Sequence, residues 1–245
     1  MQKTINNKIT YMLGWGVHLL TASAGVFCLL ALYFIHIHLW INAFWALTVC
    51  LIIDAIDGTL ARKFHVKTNI PQIDGTLLDN LIDFVAYVIV PAFFIITKKL
   101  FPEGWNFPCA AMIIIASSYQ FTQIDAKTKD NFFKGFPCYW NFTVFYMLVV
   151  DGTKLFNLSM MFFLLTLVFI PIKYIYLSRM DYVTKSKAMK NFIYAITALF
   201  GVSSLHLIIF YPAKHSFFFV FTFAYIIAYF LFSIYRTIYP LTKTT

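Results

Sequence analysis

The chain has 245 residues, 61% of them hydrophobic and only 12% charged, with a net charge of +9. So little polar surface cannot coat a soluble globule of this length, so the composition indicates an integral membrane protein. The positive charge is scattered between apolar stretches instead of forming a basic polar domain, which excludes a nucleic-acid-binding module.

A membrane-spanning helix needs about 20 mainly apolar residues. Eight windows approach this, near 14–34, 37–57, 76–97, 107–124, 137–151, 157–177, 190–211 and 216–238, the fifth being the weakest. Residues 1–13 read as an interfacial segment. The first apolar run is long enough to span and lacks a small-residue cleavage site, so no leader is expected to be removed. Pro71, Pro102-Glu103-Gly104, Gly135-Phe136-Pro137, Asp151-Gly152 and Pro212 fall near window ends, as helix-breaking residues should. With an N-terminus in the cytoplasm, all of the 19 Lys and Arg except Lys98, Lys99, Lys154 and Lys214 fall on the cytoplasmic side. That bias predicts that both termini are cytoplasmic. The expected fold is an all-α polytopic membrane helix bundle, a single domain over 1–245, with about eight transmembrane helices and a polar metal-binding cavity open to the cytoplasm. Cys28, Cys50, Cys109 and Cys138 show no C-x-x-C spacing and read as reduced, buried thiols.

Against this apolar background stands one acidic cluster. Residues 54–83 read D-x-x-D-G-x-x-A-R, then twelve residues, then G-x-x-x-D-x-x-x-D. On a helix, Asp54, Asp57, Gly58 and Ala61 fall at i, i+3, i+4 and i+7, so two carboxylates and two small residues share one stripe. Gly75, Asp79 and Asp83 form a matching stripe on the next span. Each acid at membrane depth costs about 2.5 to 3.5 kcal/mol on insertion scales, so four together need a compensating partner. Pairing with Arg62, Lys63 and Lys67 would supply one. A divalent cation fits the matched spacing better, and carboxylates without His or Cys favour Mg2+ or Mn2+, two of which can clamp a pyrophosphate. Gly58 and Gly75 would let backbone approach a bulky ligand, and Arg62 offers fork geometry to phosphate. Asp74 lies off the stripe and reads as a helix N-terminal residue.

At these residues the chain resembles the CDP-alcohol phosphatidyltransferase family, whose motif differs in having eight residues where this chain has twelve between Arg62 and Gly75. The longer spacer is similar to that of the bacterial phosphatidylcholine synthase branch. Three strings point the same way: W-G-V-H-L-L-T-A-S at 15–23, F-K-G-F-P-C-Y-W-N at 133–141 and P-I-K-Y-I-Y-L-S-R at 171–179. The resemblance implies that Asp54, Asp57, Asp79 and Asp83 bind two Mn2+ or Mg2+ ions, with Asp83 also the catalytic base. It implies that Gly58, Ala61, Arg62 and Gly75 line the nucleotide. The implied reaction transfers the phosphatidyl group of CDP-diacylglycerol to choline, giving phosphatidylcholine and CMP in the bacterial inner membrane, and the family suggests a homodimer.

Choline carries a permanent positive charge and no N–H donor, so aromatic faces would hold it. Tyr119, Tyr139, Trp140 and Tyr146 are the candidates, with Asn141 beside them; each also reads as interfacial or core packing. Lys127, Lys134, Lys173 and Arg179 offer phosphate contacts or belong to a solvated basic face. Gln120, Gln123, Asp125 and Asp130 extend this polar run. His18 is a support for the cavity, whereas His36 and His38 lie on the far side from the acids. Competing readings are a related transferase making phosphatidylserine, phosphatidylglycerophosphate or phosphatidylinositol phosphate, and a cation transporter using intramembrane acids.

Overall fold

The computed structural model describes residues 2–128, 130, 132–175, 184 and 186–239, with side chains from Ile9 onward. The chain forms two compact units, Met1–Lys99 and Leu100–Thr245.

The first unit contains α1 (Gln2–His36), α2 (Trp40–Lys63), the short α3 (Val66–Asn69), α4 (Gly75–Phe84), a π turn (Val85–Ile89) and α5 (Val90–Lys98). Helix α1 is continuous through the expected interfacial segment, because no Pro interrupts it and its first Gly is Gly14. Its buried residues Val17, Thr21, Ala24, Cys28, Ala31 and Ile35 recur at alternating steps of four and three. That period draws a single seam along one face. Ala43, Ala46, Leu47, Cys50, Ile53 and Asp57 form the facing seam of α2. Small side chains let two helix backbones approach closely where burying apolar surface gives no advantage over lipid. Cys50 Sγ lies 3.6 Å from Cys28 Sγ and 3.4 Å from the Ala24 carbonyl, and both thiols are free, as are Cys109 and Cys138. At one end the seam turns polar, where Thr21 meets Asp57.

The second unit contains α6 (Asn106–Thr122), β1 (Phe132–Lys134), α7 (Trp140–Val150), α8 (Lys154–Phe169), β2 (Lys173–Ile175), α9 (Lys187–Ile209) and α10 (Ser216–Ile238). Helix α6 packs on α8, and α9 on α10. Strands β1 and β2 pair antiparallel in the register Phe132 to Ile175, Phe133 to Tyr174 and Lys134 to Lys173. Phe132 and Ile175 are buried against Ile193, Tyr229 and Phe232. Side chains of α10 finish the ladder's edge, with the Tyr229 hydroxyl donating to the Ile175 carbonyl and Thr237 Oγ1 accepting from the Lys173 amide. At Gly135 (φ 80°) a Cβ would collide with the Val168 carbonyl oxygen, so the turn out of β1 admits only glycine.

Each of the eight windows carries helix, and the protein is all-α and polytopic apart from this small ladder. Among the described residues, five helical stretches are long and apolar enough to cross a membrane: Ile9–His36, Trp40–Lys63, Gly75–Lys98, Lys187–Ile209 and Ser216–Ile238. The fourth, fifth and sixth windows hold shorter helices of 17, 11 and 16 residues. At 1.5 Å per residue the 11 residues of α7 reach roughly 16 Å, about half of the bilayer's hydrocarbon thickness. Helix α8 stops at Phe169, eight residues before the end of the sixth window. Pro171 is the cause: it lacks an N–H and drives the preceding residue, Ile170, into extended backbone. Leu19, Val26, Leu29 and Tyr33 on α1 and Val220, Ile227, Leu231 and Ile234 on α10 are exposed apolar residues, as lipid-facing surfaces require.

Candidate metal centre

Helices α2 and α4 are joined by the segment from Phe64 to Asp74, which contains α3. Ile70 within it is fully buried, and its Cδ1 occupies the space where a Cβ on Gly14 would sit, 2.8 Å away, with Val66 close behind. Asn69 Nδ2 donates to the Phe64 carbonyl and closes the loop on itself. Asp74 then starts α4, its carboxylate accepting from the amides of Thr76 and Leu77, the helix-capping role expected from its position off the stripe.

This hairpin brings Asp54, Asp57 and Asp79 together, with one carboxylate oxygen from each within 4.8 Å of the other two. Asp57 is buried and the others are half-buried. Three carboxylates this close repel one another when ionised, and a cation or a proton among them relieves that repulsion. The donors are all carboxylate oxygens with no His or Cys, a hard set that fits a divalent Mg2+ or Mn2+ class of ion. Asp83 is half-buried and lies one helical turn beyond Asp79, a rise of about 6 Å along α4, and does not join the triplet.

Two further groups reach the cluster from outside the motif. Thr21 Oγ1 donates to Asp57 Oδ2 at 2.7 Å, and the Tyr87 hydroxyl donates to Asp54 Oδ2 at 2.8 Å. Neither emerges from the sequence reading, although Thr21 lies in the string at 15–23 and Tyr87 follows Asp83 by one turn. His18 is buried one turn before Thr21, and a Cβ on Gly75 would stand 3.0 Å from its Cε1. Gly75 therefore makes room for a protein neighbour. A Cβ on Gly58 would meet Arg62 Nη1 at 3.6 Å, ordinary contact. Arg62 is exposed and donates to Thr59 Oγ1. With Ala61, His65, Val66, Lys67 and Thr68 it lines an open groove of about 320 Å3, so three basic side chains follow the acidic stripe along α2 and into the loop.

The remaining candidates lie in the second unit. Trp140 is fully buried, its Nε1 donating to Ser117 Oγ at 2.9 Å and its ring packed on Phe136. Tyr146 is buried, its hydroxyl 2.9 Å from Ser204 Oγ. Asn141 is buried and accepts from the Phe142 amide, while half-buried Tyr139 packs edge-on to Phe136 and Phe142. Tyr119 is exposed against Phe169. The polar run is used internally. Gln120 Nε2 donates to the Lys134 carbonyl and Gln123 Nε2 to Gln120 Oε1. Lys134 pairs with Asp125 and Lys173 with Asp130, each at 2.6 Å, and Lys127 lies over the Phe133 ring. Arg179 lies outside the described residues.

Known proteins resemble this chain along most of its length. A family model described as CDP-alcohol phosphatidyltransferase matches residues 17–172, which include every motif residue and Thr21. A phosphatidylcholine synthase of Legionella pneumophila is 44% identical over 95% of this chain and 92% of its own length. One from Legionella bozemanae is 42% identical over 89% and 100%, and one from Borreliella burgdorferi 39% identical over 70% and 73%. With a family model matched over more than half of its length and relatives above 40% identity over most of it, the chain belongs to the CDP-alcohol phosphatidyltransferase family.

Proposed function

We propose that the protein is a phosphatidylcholine synthase, transferring the phosphatidyl group of CDP-diacylglycerol to choline and releasing CMP. The observation that carries this reading is the Asp54, Asp57 and Asp79 triplet set in the family motif of a chain similar along most of its length to proteins named phosphatidylcholine synthase.

Asp54, Asp57, Asp79 and Asp83 would hold two Mg2+ or Mn2+ ions, which when bound supply charge neutralisation for the pyrophosphate and its leaving oxygen. Arg62 carries an always-charged fork in the lining of the groove, beside Ala61, and would grip the nucleotide's phosphate oxygens; the resemblance to the family adds Gly58 and Gly75 to the nucleotide's surroundings. Asp83, one turn beyond Asp79, would accept the proton of choline's hydroxyl, the role that the resemblance to the family implies. The hydroxyl oxygen bonds to the phosphorus that carries diacylglycerol, the anhydride bond to CMP breaks, and the proton passes to the Asp83 carboxylate. Holding the substrate at a membrane face lets the acyl chains stay in lipid while only the headgroup enters polar surroundings.

Choline's quaternary ammonium calls for an aromatic face, for which Tyr119, Tyr139 and Trp140 are the proposed residues, the Trp140 ring and Nε1 being engaged in packing. Lys127, Asn141 and Arg179 remain part of the proposed acceptor and phosphate surface. The basic-residue distribution supports an inner-membrane protein with both termini cytoplasmic, and the resemblance to the family supports a homodimer.

The test is an assay of the purified protein with CDP-diacylglycerol, Mn2+ or Mg2+, and labelled choline, serine, glycerol phosphate or inositol phosphate. Choline-dependent release of CMP with labelled phosphatidylcholine is expected. Incorporation of another alcohol in place of choline would overturn the acceptor assignment, and absence of CMP with every alcohol would overturn the enzyme reading.

A further inference from the structure

Two carboxylates of the triplet are held by hydroxyls from outside the motif. The Thr21 hydroxyl has one proton and two acceptors in reach, Asp57 Oδ2 at 2.7 Å and the Val17 carbonyl at 3.3 Å. The shorter contact takes the proton. Thr21 is buried in the seam between α1 and α2, so its χ1 is fixed by packing and its direction is set before any ion arrives.

Tyr87 reaches Asp54 by a different route. Along an α-helix each four-residue step rotates the stripe by about 40°, so Asp79, Asp83 and Tyr87 would drift progressively around α4. The π turn at Val85–Ile89, whose wide loop closes with the Val90 amide donating to the Val85 carbonyl, underwinds the helix and so opposes the drift from Asp83 to Tyr87. Pro91 supplies a cause. It has no N–H for the Tyr87 carbonyl four residues earlier, and its ring crowds that carbonyl. Tyr87 is thereby kept on the stripe and buried, its hydroxyl on Asp54 Oδ2.

We propose that Thr21 and Tyr87 are positioning residues of the metal site, each locking one aspartate rotamer so that its second oxygen is presented to a divalent ion. The proposal rests on the metal-site reading above and deepens it. Both donors are neutral, which is the point of using them: a Lys or Arg in either place would orient the carboxylate but also cancel the charge that attracts the ion. Hydroxyls fix direction and leave the charge.

The test uses the full chain in detergent micelles or nanodiscs, with Tyr87→Phe and Thr21→Val, which keep ring and shape, and Thr21→Ser, which keeps the hydroxyl. Mn2+ binding is followed by the electron paramagnetic resonance signal of the free ion, beside the Mn2+ concentration for half-maximal CMP release and thermal unfolding in a chelator. Loss of an outer-shell partner typically weakens metal affinity about 10- to 100-fold. We expect that loss in Tyr87→Phe and Thr21→Val, with a matching rise in the activating concentration, metal-free unfolding midpoints near that of the unsubstituted protein, and recovery in Thr21→Ser. Unchanged Mn2+ affinity in both variants would overturn the proposal while leaving the metal site standing. So would a loss that Thr21→Ser fails to recover and that tracks the metal-free midpoint, since that describes a packing defect. An unsubstituted protein that binds no Mn2+ would bring down the metal-site reading and this inference together.

Discussion

Asp74 and Asp79 carry the same functional group five residues apart and perform different physical tasks. Asp74 caps α4 through two backbone amides. Asp74→Ala should therefore lower stability by about 1 kcal/mol while Asp74→Asn restores it, with Mn2+ affinity unchanged in both, as measured by thermal unfolding and metal titration. Asp79→Asn should do the reverse. Their separation was readable in the sequence, because helical spacing puts Asp79 on the stripe and leaves Asp74 off it. Trp140 shows the opposite case. A Trp in a family-like string reads as packing or as a cation-holding face, and the fold reveals that its indole is buried on Phe136 with its N–H on Ser117. Trp140→Phe would leave the buried Ser117 hydroxyl short of its indole donor, at a cost of about 1 to 3 kcal/mol. Thermal unfolding should show that loss, and retention of full stability would mean that Ser117 finds another partner.

At the scale of elements, the loop between α2 and α4 is held by a socket. Gly14 leaves room for Ile70, whose Cδ1 must shift if position 14 gains a Cβ. Alanine is tolerable because the obstructing atom is the far end of a flexible side chain. Gly14→Leu is not, and should cost about 1 to 3 kcal/mol by overpacking and loosen the loop carrying His65 and Lys67, read as faster proteolysis between residues 63 and 74. The sequence announced the spacer's unusual length but not its anchor, because a glycine in a membrane helix looks the same whether it faces lipid or a neighbour. Apolar windows likewise located each helix without fixing its ends. The sixth window runs through Pro171 because the apolar run does, whereas α8 ends at Phe169. The β1 to β2 ladder has only three residues per strand, too few for an alternating pattern to be seen.

Across the molecule, electrostatics divide into the acidic triplet of the proposed metal site and ion pairs complete in the polypeptide. The ladder and its loop belong to the second kind. The hydrogen bond from Lys134 holds Asp125 below the usual carboxylate range; burial pushes Asp130 upward, but hydrogen bonds from Lys173 and Thr128 outweigh it and the net direction is down. Carboxyls lowered on folding add stability that is complete above their unfolded value, about 3.9, and is lost as pH falls through the folded one. The acid limb of thermal stability should accordingly be shallower in an Asp125→Asn, Asp130→Asn double variant than in the unsubstituted protein, whereas near neutral pH the double variant should be the less stable. For the triplet, the proposed metal site predicts that a chelator should abolish CMP release and that Mn2+ or Mg2+ should restore it. The sequence displayed every motif carboxylate of that cluster, since their spacing is local. It did not display Thr21, which is 36 residues from Asp57 and meets it only because two seams of small residues bring α1 against α2. That contact bears on protein engineering. Residues 40–98, moved to another membrane scaffold, would carry every motif carboxylate together with Tyr87 and Pro91 but would leave behind Thr21, His18 and the Gly14 socket. The motif is thus not a portable cartridge, and a functional transplant has to begin at α1.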